Sequence, residues 1–84
     1  MSLQKAQEKD VKNRAFELAL KVSNVMTGRH TGILSDTKAT EILLDLAERN
    51  EDLVLREHAN PEVKEVMRNV RITLLAFSKR PFAT

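Results

Sequence analysis

His30 and His58 are the only imidazoles in the chain, and with no cysteine anywhere neither has a second ligand at metal-binding spacing. Zinc needs three or four such ligands, so no metal site is expected. His58 follows Glu57 directly and precedes Glu62 by four positions, an arrangement able to pass a proton. A histidine near a helix C-terminus is equally favoured by the helix dipole, and that structural reading is adopted. No nucleophile elbow or Ser-x-x-Lys pattern surrounds any serine, so covalent catalysis has no candidate. The chain is therefore read as a non-enzyme with no catalytic residue.

The segment Thr27-Gly28-Arg29-His30-Thr31-Gly32 brings glycine, hydroxyl and cationic groups together, the combination that holds phosphate through backbone N–H groups. No strand precedes it, and no Lys-Ser/Thr pair follows the glycines, so the spacing of a nucleotide loop is absent. It is expected to be a plain helix connector, and no cofactor is expected anywhere in the chain.

Charge is distributed unevenly around a net value of +2. Residues 1–30 carry six basic and three acidic groups, residues 31–65 four and nine, and residues 66–84 four and none. The basic end, Arg68, Arg71, Lys79 and Arg80, is the candidate nucleic-acid contact. Glu62 and Glu65, just upstream on the same expected helix, oppose it, and Trp and Tyr, the usual stacking platforms and membrane-interface anchors, are absent. Attraction between oppositely charged helices, within the fold or across a dimer, is the preferred explanation.

Long helices must position all of these groups. From Ser2 to about Met26 there is no Gly or Pro, and Val11, Ala15, Leu18, Val22 and Val25 recur at intervals of four, three, four and three. This predicts an amphipathic helix near 3–26, stopped by Gly28. Ser35 or Asp36 can cap a second helix near 36–49 bearing Ala39, Ile42, Leu43, Leu46 and Ala47, with Glu41, Asp45 and Glu48 on its opposite face. A short helix or turn is expected around 51–58. Asn60-Pro61-Glu62 then combines a cap, a proline at the first helical position and an acid in the first turn. It opens a helix near 61–79 with Val63, Met67, Val70, Leu74 and Phe77 in register, ended by Pro81. In the run Asn60-Pro61-Glu62-Val63-Lys64, residues 39–77 resemble one helical hairpin of the HEAT type. A single hairpin is no solenoid, because such repeats bury their faces against neighbours.

The expected fold is therefore all-α, a small bundle of three main helices plus a short helix or turn. It forms one domain over 1–84, with 1–9 and 81–84 as frayed ends. The core is expected from Val11, Ala15, Leu18, Val22, Ile42, Leu43, Leu46, Val63, Met67, Val70 and Leu74. An apolar share of 42% with 31% charged residues excludes a disordered chain. No apolar run reaches the ~18–20 residues needed to span a bilayer, and the polar start Met1-Ser2-Leu3-Gln4-Lys5 does not read as a secretory signal. The lack of cysteine fits a reducing, cytoplasmic setting.

Apolar residues remain after these stripes are assigned. Phe16 and Leu20 lie off the first stripe, while Ile72, Leu75 and Phe77 leave the last helix apolar nearly all round. A chain this short buries only about 60–65% of its unfolded surface, so it has few side chains left to cover a second apolar face. These five residues are the candidate protein interface. The expected function is a small cytoplasmic regulator or adaptor, an accessory protein that binds another protein or a second copy of itself. The alternative is a compact nucleic-acid-binding regulator that uses the basic final helix.

Overall fold

A computed structural model describes residues 3–78, all of them helix or short connection. Four helices follow in order: α1 (Leu3–His30), α2 (Asp36–Arg49), α3 (Glu51–Leu55) and α4 (Pro61–Ser78). Among the described residues there is no strand, and the architecture is a small all-α bundle of three main helices with one short one. Pro81, Lys79, Arg80 and the expected tail lie outside the described residues.

α1 is longer than its sequence suggests, since Gly28 lies inside its last turn and the helix runs on to His30. Close approach explains this glycine. A Cβ built there would stand 2.9 Å from Leu34 Cδ1 and 3.1 Å from Leu34 Cγ, so the missing side chain makes room for the returning loop. The left-handed residue that turns the chain is Gly32, with φ of 82°. Backbone bonds from Gly32 N–H to the Arg29 carbonyl (3.2 Å) and from Leu34 N–H to the Gly28 carbonyl (3.0 Å) satisfy carbonyls that the helix end leaves open.

The other helix ends follow the capping chemistry of the sequence. Ser35 Oγ accepts from Lys38 N–H at 3.1 Å and starts α2. Asn60 Oδ1 accepts from Glu62 N–H (2.9 Å) and Val63 N–H (3.3 Å), and Pro61, which has no N–H, needs no acceptor. Asn50 separates α2 from α3, but its side-chain amide points back to the Leu46 carbonyl (2.9 Å) and makes no cap for α3. α3 stops at Leu55, short of the expected 58, and His58 Nε2 donates to the Leu53 carbonyl at 2.8 Å.

Helix directions follow from contacts across the bundle. Lys12 of α1 pairs with Glu62 at the start of α4 (3.3 Å), whereas Arg29 at the end of α1 lies 4.7 Å from the Phe77 ring near the end of α4. α1 and α4 therefore run parallel. Arg29 also bonds Asp36 at the start of α2 (2.9 Å), so α2 runs antiparallel to both.

The core consists of Ala15, Leu18, Val22, Val25, Ala39, Leu43, Ala47, Leu53, Val54, Val63, Met67, Val70 and Leu74. Three expected members, Val11, Ile42 and Leu46, sit only half-buried at its edge. On α2 the fully buried line is Ala39–Leu43–Ala47, spaced by four. Ala15 of α1, like Ala39, is wholly buried, and such small side chains let helix axes approach, which displaces the bulkier Ile42 and Leu46 to the flank. Leu53 and Val54 close the end of the bundle from α3, two deep positions absent from the expected core. No polar or charged side chain among the described residues is buried.

Candidate functional site

Among the large apolar side chains that remain in water once this core is closed, four lie on helices: Phe16 (40% exposed), Leu20 (62%), Ile72 (58%) and Leu75 (40%). They do not form one patch. Phe16 stands one turn after Lys12, whose Nζ lies 6.0 Å from the Phe16 ring centre and which reaches across to Glu62 of α4. Leu20 continues that line up the outside of α1. On α4, Leu75 stands one turn after Arg71 on the same flank, the one from which the Arg71 guanidinium reaches α3. The structure thus gives one apolar strip on α1 and another on the α2-facing side of α4, with Ile72 on the outer edge of the latter.

Phe77 belongs to neither strip. It is half-buried, packs against the core and is covered by the Arg29 guanidinium, so its ring is already used inside the fold. Ile33, in the connection between α1 and α2, is 82% exposed and was not marked by periodicity, because an isolated apolar residue in a polar loop belongs to no repeat.

The basic residues divide in the same way. Arg71 donates through Nε to the Val54 carbonyl at 3.1 Å, with Nη2 on the same oxygen. It thereby caps the C-terminal end of α3, and its charge is held at the α3–α4 contact. Arg68 is exposed and makes no ion pair among the described residues. Lys79 and Arg80 lie outside the described residues, so the structure does not bring the four cations together as a surface.

The Thr27–Gly32 segment has its donors occupied. Thr31 N–H bonds the Thr27 carbonyl (2.9 Å), the Thr31 hydroxyl donates to the Thr27 (3.0 Å) and Gly28 (3.3 Å) carbonyls, and Arg29 is held by Asp36 and Phe77. The segment is built as a connector. Among the described residues no group of three His, Cys, Asp or Glu side chains is placed to hold a metal ion.

A shallow hollow between α1 and the end of α2 is lined by Arg14, Glu17, Leu18, Lys21 and Asn50. At its edge Arg14 forms a two-pronged pair with Asp52 of α3, Nη1 to Oδ2 at 3.2 Å and Nη2 to Oδ1 at 3.3 Å. The hydrogen bond from Arg14 holds the Asp52 carboxyl below its ordinary range, and the same bond raises the Arg14 pKa. This pair ties α3 to α1. Its fork geometry is that of a structural clamp.

No helix of the described residues is long and apolar enough to cross a membrane. Comparison with protein families, with curated proteins and with solved structures finds no match to this chain.

Proposed function

We propose that this chain is a non-enzymatic interaction module, a small regulator or adaptor that acts by binding protein through the apolar strips on α1 and α4. The observation that supports this reading is the exposure of Phe16, Leu20, Ile72 and Leu75 beside a core that closes without them. Contiguous apolar surface left in water beside a complete core commonly marks association, and large side chains with one face already packed make the best anchors. Phe16 and Leu75, each more than half covered, are the rigid anchors, and Leu20 and Ile72 extend them outward. The absence of cysteine fits action in the cytoplasm.

The nucleic-acid alternative has less support, because the Arg71 guanidinium is engaged at Val54 and Arg68 stands one turn after the acidic Glu65. Substituting Phe16→Glu and Leu75→Glu separately tests the proposal. Each variant should keep its helical circular-dichroism signal and lose the protein that the parent retains on an affinity column. A variant that keeps the same partner, or one that unfolds, contradicts the assigned surface.

A further inference from the structure

We infer that the face formed by α2 and α4 pairs with the same face of a second copy of this chain, α4 of each copy lying along α2 of the other. The inference rests on the function proposed above and names the partner of one of the two apolar strips. On α4 this face carries Arg68, Ile72 and Leu75, all exposed. On α2 it carries half-buried Leu44 and exposed Glu48, with Glu41 beside them.

The orientation of α2 follows from its other flank. Asn50 shares a hollow with Arg14, Glu17, Leu18 and Lys21 of α1, and Leu46 stands one turn before Asn50, so that flank looks toward α1. The flank of Leu44 and Glu48, across the Ala39–Leu43–Ala47 line, therefore looks toward α4. Arg71 shows the matching side of α4, since it turns toward α3 while Phe77 turns toward α1.

The face is net basic along α4, where Lys64 and Arg68 outnumber Glu65, and acidic along α2. Neither Arg68 nor Glu48 has an ion-pair partner among the described residues. A two-fold axis parallel to the helices exchanges the basic and acidic edges while preserving height along the bundle, so the surface is complementary to itself. Height is set by Arg29, which touches both Asp36 and Phe77. Arg68 lies nine residues before Phe77 and Asp45 nine residues after Asp36, so at equal rise the two stand level. Across the axis Arg68 then meets the stretch containing the partner's Leu44 and the partner's Glu48, with Ile72 and Leu75 closing the apolar middle. The strip on α1 offers no such match, because the charges beside it are already paired within the chain, Lys12 with Glu62 and Glu17 with Lys21.

Two helices side by side over the 14 residues of α2 present a face of about 20 by 20 Å. That is roughly half the ~800 Å² per partner of a standard stable complex. The dimer is accordingly small in area, and its population depends on concentration.

Sedimentation equilibrium of the full chain tests the pairing. The parent mass should rise with concentration from 9.5 kDa toward twice that value. Arg68→Glu and Glu48→Arg should each weaken the dimer by about tenfold or more, since like charges then face each other across the interface. The double variant should recover most of the loss, and Leu75→Gln, which alters no charge, should also weaken association. Helical circular dichroism should be unchanged throughout. A parent that remains monomeric, single reversals without effect, or a folded double variant that fails to recover would overturn the pairing. Association lost only on Phe16→Glu would also overturn it, while leaving the broader reading of an interaction module in place.

Discussion

Leu43 and Leu46 stand three positions apart on α2, and their surroundings decide what each contributes. Leu43 is fully buried, and its truncation to Ala should cost about 2–5 kcal/mol of stability, the usual range for a leucine cavity. Leu46 lies half-buried on the flank, so Leu46→Ala should cost less than half as much in the same urea titration. Equal losses would mean that α2 is rotated from the position described. Gly32→Ala places a Cβ at a φ of 82° and should cost about 1 kcal/mol, although nothing lies within 4 Å to clash with it. Asp52 gives a pH signature. Its carboxyl is held below the ordinary range by Arg14, so the native state favours the charged form. The resulting stability is present above the ordinary carboxylate pKa and is lost as pH falls through and below that range. Between about pH 6 and pH 3 the parent melting temperature should therefore fall slightly more than that of Asp52→Asn. An identical fall in both would remove the Arg14–Asp52 pair from the stabilising contacts.

Helix boundaries depend on capping chemistry, and α4 shows it most simply. Asn60→Ala removes the acceptor of two backbone N–H groups and should cost about 1 kcal/mol, measurable as a lower urea midpoint with an unchanged slope. The same logic makes the starts of α2 and α4 legible in the sequence, because Ser35 and Asn60 cap through local bonds that require no knowledge of the rest of the fold. The end of α1 is less legible. Gly28 carries two roles that look alike in a sequence, a left-handed stop and a site of close approach, and only the position of Leu34 distinguishes them. Periodicity places the α1 and α4 stripes well because each helix buries one continuous line of larger side chains between its neighbours. It misleads on α2, where the alanines occupy the crossing and the larger Ile42 and Leu46 look like the better core residues. Leu53 and Val54 escape because five residues of helix are too short to display a period.

At the scale of the whole bundle, the candidate surface was visible in the sequence only as a surplus of apolar residues. A residue count identifies Phe16, Leu20, Ile72, Leu75 and Phe77, but parallel packing of α1 and α4 decides that they fall on different sides and that Phe77 is consumed by Arg29. The central claim is that the core closes without Phe16, Leu20, Ile72 and Leu75, which leaves them for contact with protein. Urea unfolding of a dilute variant carrying Phe16→Gln, Leu20→Gln, Ile72→Gln and Leu75→Gln tests it most directly. Surface changes are usually worth within about 0.5 kcal/mol each, so a helical variant within roughly 2 kcal/mol of the parent is predicted. If the four side chains instead hold the fold, losses of ~2–5 kcal/mol at each would exceed the whole stability of a domain of this kind, and a variant unfolded before urea is added would contradict the claim.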